Sequence, residues 1–325
     1  MNLGTMLTGV TNDKFVEHLI EFWDYDEGSL VLWRASSNFV YAFEHQQIPY
    51  FLRISFSPNH CTEQIEAELA FIDYLHANGY PSITPTPSKN KNFIETWAGP
   101  DGTYCAVVFN AAKGETLDED EITENEMNEL GKSLARLHSL SATYQPLHGK
   151  RKSWLHTIQY MEQIFRKKAD GLVALQELTY LTDWLHTLPM DNHLYGLLHY
   201  DFQLDNVFYE KGAPGTFQVI DFDDSIYHWY ALDVVIALDD FMNADDPQSI
   251  VRTEAFLNGY RTYMPLENHV IAQFPMFIRY ANLYKFARLL DALDYDVVDN
   301  PPDWFSDLNR KFIQVKNNLK VTFTD

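Results

Sequence analysis

The chain has 325 residues, 46% of them hydrophobic and 15% aromatic, which is ample for a packed core and suggests two domains or lobes. Its formal net charge is −22, from 24 Lys+Arg against 46 Asp+Glu. That balance opposes binding to nucleic acid or to anionic membranes, whose affinity rests on basic patches.

No apolar run approaches the roughly 20 residues that span a bilayer, and residues 1–10 lack a signal-peptide pattern, so a cytoplasmic protein is expected. Cys61 and Cys105 are too few and too isolated for a disulfide framework or a zinc site. Neither internal repeats nor low-complexity segments interrupt the sequence.

In chain order, residues 12–23 carry Phe15, Leu19 and Phe22 at helical spacing and predict a short helix. Strands are predicted over 29–35, 39–44 and 50–55, which are rich in Val, Tyr and Phe with turn residues between them. Ile65, Leu69, Ile72 and Leu75 form the stripe of an amphipathic helix over 62–77, closed by Asn78-Gly79. The Pro-rich stretch 81–87 reads as a loop, and 92–97 and 104–109 as two more strands. Five strands and a helix thus make a first lobe, 1–109, ahead of a break near Lys113-Gly114.

The second lobe, 110–325, is mostly helical. Thr123 with Glu126 makes a capping box before Met127, Leu130, Leu134, Leu137 and Leu140. Further helices are predicted over 154–168, 173–188, 231–241, 248–263, 272–293 and 304–319. Among them, residues 206–209 and 217–220 read as a hairpin around the turn 211–215. The expected fold is α+β and bilobal, with a small β-rich N-lobe and a larger helical C-lobe.

Around that hairpin lie the residues that carry chemistry. His199-Tyr200-Asp201-Phe202-Gln203-Leu204-Asp205-Asn206 fits H-x-D-x-x-x-x-N at every defined position. Ile220-Asp221-Phe222-Asp223 follows, matching D-F-G at its first two places with Asp223 where Gly would stand. Such residues suit transfer of the γ-phosphoryl group of ATP. A carboxylate must orient the attacking hydroxyl and accept its proton, which falls to Asp201. Mg²⁺ takes hard oxygen ligands and keeps several waters, so the Asn206 amide and the Asp221 carboxylate suffice on the protein side. The hairpin would bring both to one end.

These motifs resemble those of the aminoglycoside phosphotransferase and choline kinase group of small-molecule kinases, within the protein-kinase-like fold. The resemblance runs from the strands around Ser36 to the helix after Asp233. It implies ATP and Mg²⁺ as cofactors and a small hydroxyl compound as acceptor. The family's phosphate-holding residue and its acidic partner fall on Arg53 and Glu68, with Glu63 and Glu66 as alternatives for the second. Lys is usual at the first position; Arg keeps the charge and changes its geometry. No G-x-G-x-x-G is present, and Ser36, Ser37 and Asn38 stand at the phosphate turn, which reads equally as a plain hairpin turn. Adenine is expected against the backbone near Phe109. The resemblance makes His199 a structural hydrogen-bonder, Asp233 a brace for the catalytic loop, and Asp223 either an assistant to the metal or a residue that orients water.

Two other readings compete. Asp221-Phe222-Asp223-Asp224-Ser225 loosely resembles the D-x-D-x-T loop of metal-dependent phosphohydrolases, although that loop belongs after the first strand of a parallel sheet. A non-catalytic, nucleotide-binding relative of kinases is the other alternative, kept open by Arg53 and the missing glycines. An amine-bearing acceptor is expected because Asp239, Asp240, Asp245, Asp246, Asp291, Asp294, Asp296, Asp299 and Asp303 crowd the region that builds acceptor pockets in the resembled kinases. The sequence leaves the acceptor's identity and the oligomeric state open.

Overall fold

A computed structural model describes residues 1–12, 14–57, 62–99, 102–146, 149–210, 217–243 and 245–323. The chain begins with two helices, α1 (Leu3–Thr11) and α2 (Lys14–Ile20). Strands β1 (Val31–Ala35), β2 (Phe39–His45) and β3 (Ile48–Ser57) follow, then helix α3 (Thr62–Ala77). Strands β4 (Pro85–Thr86), β5 (Glu95–Gly99) and β6 (Gly102–Asn110) complete an antiparallel sheet in the order β1-β2-β3-β6-β4, with β5 also on β6.

Alternation along β3 decides which residue meets which layer. Leu52 and Ile54 point to one face, where they join Phe39, Tyr41, Phe43, Ala106 and Val108 in a core closed by Phe15, Val16 and Leu19 of α2. Arg53, between them, points to the opposite face, where Val107 and Phe109 pack with Ile65, Leu69 and Ile72 of α3. The α3 stripe therefore belongs to the large core that continues into the helical half.

The remainder runs β7 (Glu115–Thr116), α4 (Glu124–Ser141), α5 (Trp154–Lys167), α6 (Leu175–Thr187), β8 (Tyr195–Leu198), β9 (Val207–Tyr209), β10 (Phe217–Val219), β11 (Ile226–Trp229), α7 (Tyr230–Ala237), α8 (Pro247–Tyr260), α9 (Asn268–Ile271), α10 (Phe274–Ala292) and α11 (Asp303–Val321). The Thr123–Glu126 capping box is present at the start of α4. Helices α4 and α8 meet backbone to backbone through a glycine on each. A Cβ on Gly131 would lie 2.1 Å from the Phe256 carbonyl oxygen, and one on Gly259 would lie 1.9 Å from that of Asn128.

Several expectations need adjusting. The predicted helix over 12–23 is the shorter α2, with an unforeseen α1 before it. The sheet has six strands, because part of the Pro-rich loop pairs as β4. The helix predicted over 231–241 ends at Ala237, and β7, β8, β11 and α9 are too short for their pattern to register. Cys105 is fully buried in β6 and disulfide-bonded, whereas Cys61 and the turn 211–215 lie outside the described residues. No helix of the described residues is long and apolar enough to cross a membrane.

Candidate active site

The motif residues sit on two short antiparallel ladders. In one, β8 pairs with β11, Leu198 opposite Ile226, so the chain leaves β8 directly into His199. In the other, β9 pairs with β10, Val207 opposite Val219, and the Ile220 N–H donates to the Asn206 carbonyl at 3.0 Å. The hairpin therefore holds Asn206 and Asp221 at one end, as its sequence predicts.

Asp233, fully buried on α7, organises the loop between these ladders. Its carboxylate accepts from the His199 and Tyr200 backbone N–H groups, both at 2.8 Å. His138 of α4 adds a third contact, Nε2 to Asp233 Oδ2 at 3.0 Å, while its Nδ1 meets the Tyr260 hydroxyl at 2.7 Å. A buried charge surrounded by donors in this way escapes most of the cost of desolvation. His199 is also fully buried, and its Nε2 lies 2.8 Å from the Ile220 carbonyl oxygen, which ties the loop to the strand before Asp221. Tyr200 and Asp221 both have positive φ, 73° and 64°, a left-handed conformation that non-glycine residues hold only where surroundings impose it.

Asp201 and Asn206 touch: the amide nitrogen donates to Asp201 Oδ2 and to its carbonyl, each at 2.9 Å. With the nitrogen committed, the amide oxygen is the atom that would meet a cation. Burial pushes the Asp201 carboxyl above its ordinary range. Burial also raises Asp221, well above its ordinary value, and the Asp223 carboxylate adds to the shift. A divalent cation would oppose that shift by compensating both charges. Among the described residues, no group of three His, Cys, Asp or Glu side chains forms a cation cage. A carboxylate and an amide leave room for waters and phosphate oxygens, the donor set that fits Mg²⁺.

On the sheet side, Arg53 and Glu68 form a buried fork-to-fork pair, Nη1 and Nη2 each 2.7 Å from a carboxylate oxygen. Of the three glutamates considered, it is Glu68 that meets Arg53. Burial works against the Arg53 charge, but Glu68 more than compensates and holds it ionised. Arg53 Nη1 is 4.0 Å from Asp221 Oδ1, its guanidinium lies 5.2 Å from the Phe109 ring centroid, and its buried Nε has no partner among the described residues. The turn Ser36–Asn38 reaches the other lobe: Asn38 donates to Asp223 Oδ2 at 2.5 Å, and Ser37 Oγ accepts from Arg288 at 2.7 Å.

Two cavities share Arg34, Val40, Arg53 and Asp221 along this cleft. One, about 550 Å³, is largely apolar, with Trp33, Phe51, Ile83, Phe109 and Phe208 on its walls. The other, about 360 Å³, holds Asp201, Asp223 and the turn residues, and ends against Leu232, Val235, Ile278 and Ala281 of α7 and α10. The motif residues, the Ser36–Asn38 turn and the Arg53–Glu68 pair thus fall along one cleft or directly behind it. Arg288, Asp224, Tyr284 and Arg151 are functional candidates that sequence reasoning missed. Arg151 donates to the backbone carbonyls of Gln64, Asp223 and Ser225, pinning the Asp221–Asp224 loop to α3. Asp224 lies in the 221–225 segment without a role of its own assigned there, and Arg288, Tyr284 and Arg151 lie in no recognisable motif; only folding brings those three to the cleft.

Comparison with known proteins identifies the family. A model of the phosphotransferase enzyme family matches residues 31–266. An amicoumacin kinase of Bacillus subtilis (strain 168) is 26% identical over 278 residues, covering 81% of this chain and 80% of that protein. A homoserine kinase of Rhodopseudomonas palustris (strain BisA53) is 26% identical over 312 residues, 88% of this chain and 86% of its own. Among solved structures, amicoumacin kinase hAmiN in complex with AMP-PNP, Ca²⁺ and Ami superposes with a TM-score of 0.78 at 22% identity, covering 96% of this chain and 95% of that one. A microcompartment-associated aminopropanol kinase gives 0.75 at 22% identity, with 95% of both chains covered. The bilobal, protein-kinase-like fold is therefore shared, and the chain belongs to the phosphotransferase enzyme family, as a kinase of the small-molecule type.

Proposed function

We propose that this protein transfers the γ-phosphoryl group of ATP, with Mg²⁺, to a hydroxyl of a small amine-bearing molecule. The observation that carries the reading is the convergence of Asp201, Asn206 and Asp221 on one continuous cleft, beside an apolar cavity of about 550 Å³ that suits a nucleotide base. In this reading residues 1–109 form the nucleotide lobe and 110–325 the catalytic and acceptor lobe. The base packs by Phe109, and the phosphates pass beneath Ser36, Ser37 and Asn38. Arg53, fixed by Glu68 and 4.0 Å from Asp221, sets its positive charge beside them. Asn206 and Asp221 hold Mg²⁺, which neutralises charge on the phosphates when bound, and Asp223 stands by. Asp201 orients the acceptor hydroxyl and takes its proton, in a loop braced by Asp233 and His199.

Amine recognition is supported from two sides. Homoserine and aminopropanol, after which relatives are named, are hydroxyl compounds that carry an amine. Of the nine aspartates singled out after Asp233, Asp239 lines the cavity with Asp201 and Asp291 lines the one behind it. Others have different places: Asp246 caps α8, Asp294 pairs with Lys168, and Asp294, Asp296 and Asp299 line a cavity by α1. The test is a panel of hydroxylated amines, sugars and hydroxy acids with Mg·ATP, read as ADP formed. Turnover with an amine alcohol that Asp239→Asn weakens is expected; turnover confined to neutral sugars or hydroxy acids would contradict the acceptor class.

A further inference from the structure

Arg288 reaches the cleft from α10, a different element from the strand that carries Arg53. Its Nη2 donates to Ser37 Oγ at 2.7 Å. Its Nη1 lies 3.3 Å from both Asp224 oxygens and 3.2 Å from the Tyr284 hydroxyl. The side chain lines both the cavity that contains Asp201 and the neighbouring one of about 540 Å³ behind it. Its charge thus stands between the phosphate turn and the loop that begins at Asp221.

We propose that Arg288 is a catalytic residue that binds the phosphoryl group in flight, an inference that rests on the phosphotransfer reading. In that reaction the bond from the γ-phosphorus to the bridging oxygen breaks, and its electron pair leaves on ADP. The acceptor hydroxyl oxygen forms the new P–O bond, and its proton passes to the Asp201 carboxylate. Negative charge is meanwhile spread over the three equatorial oxygens of the transferring group. A cation aimed at those oxygens, already fixed in place, lowers the barrier more than it strengthens ground-state binding.

Arg53 is poorly suited to that task, since both of its terminal nitrogens are committed to Glu68. Arg288 is better suited. Asp224 and Tyr284 fix its guanidinium from one side, and its remaining hydrogen bond among the described residues is to a neutral serine hydroxyl. That hydroxyl belongs to the turn under which the phosphates are placed, so its oxygen stands in for a phosphate oxygen. The planar fork retains further N–H donors for a second one.

A tether between lobes is the competing role, and binding measurements separate the two. AMP-PNP with Mg²⁺ reports the ground state, and ADP with aluminium fluoride and Mg²⁺ imitates the transferring phosphoryl group. Hydrolysis of ATP by water reports turnover without a known acceptor. For Arg288→Gln and Arg288→Lys, AMP-PNP affinity should stay within about threefold of wild type. Hydrolysis should fall about 10²–10³-fold, and tighter binding of the aluminium fluoride complex should be lost. Thermal melts identify a variant that fails to fold, and the lysine variant, which keeps the charge, then carries the test. Equal weakening of both complexes in folded variants, or undiminished hydrolysis, would overturn the role and leave a tether. A wild-type protein that binds neither complex would overturn the phosphotransfer reading itself, and this role with it.

Discussion

His228, on β11, is fully buried against Trp229 and Tyr280, with ring centroids 5.3 and 4.8 Å away. Its Nδ1 accepts from the Trp229 N–H at 2.9 Å, and its Nε2 has no partner among the described residues. Burial pushes its pKa from the ordinary 6.5 down to about 3. The sign follows: below pH 6.5 the unfolded chain takes up a proton that the folded chain refuses, so stability falls with pH until about 3. The slope from this one group approaches about 1.4 kcal/mol per pH unit. Unfolding free energies of His228→Leu, measured between pH 7 and pH 4, should show a shallower acid slope than wild type; equal slopes would mean that His228 does not titrate in this way. Nothing in the spacing of Ile226-Tyr227-His228-Trp229 announces a buried imidazole, because its burial depends on partners from α10 that are distant in sequence.

Strand β3 and helix α3 meet through Arg53 and Glu68, and the pair is the element-scale link on the sheet side of the cleft. Removing one member of a buried ion pair costs about 3–5 kcal/mol, because the other charge is left without a partner. Arg53→Met and Glu68→Gln should each destabilise the fold and weaken nucleotide binding. The double variant should cost less than the sum of the two, by about 1 kcal/mol or more. Urea unfolding and nucleotide titration across the four proteins check this, and strict additivity would mean that the two side chains do not act as a pair. The resemblance placed this contact on Arg53 and on Glu68, Glu63 or Glu66, and the packing of α3 against β3 is what selects Glu68. The long helices and the two motif segments were legible because their periodicity or their spacing is local. Strands of two to four residues, such as β4, β7 and β8, owe their pairing to distant neighbours and carry no period of their own. Arg288 and Arg151 were illegible in the same way, being placed by the packing of α10 and by the segment before α5.

At the scale of the molecule, a formal charge of −22 coexists with a cleft in which Arg34, Arg53, Lys285 and Arg288 face Asp201, Asp221, Asp223 and Asp224. The acidic excess therefore describes the chain as a whole, while the cleft brings charges of both signs together. The two lobes meet through Asn38 with Asp223 and Ser37 with Arg288, so the turn Ser36–Asn38 of one is set against the Asp221–Asp224 loop of the other. The central claim is that Asp201 and Asp221 do different work in one transfer reaction. Titrating AMP-PNP into Asp201→Asn and Asp221→Asn, with and without Mg²⁺, and following ATP turnover in both, tests it most directly. The account predicts that Asp201→Asn keeps Mg²⁺-dependent binding and loses turnover by about 10²–10⁴-fold, whereas Asp221→Asn loses both. Unchanged Mg²⁺-dependent affinity in Asp221→Asn, or near-wild-type turnover in Asp201→Asn, would contradict it.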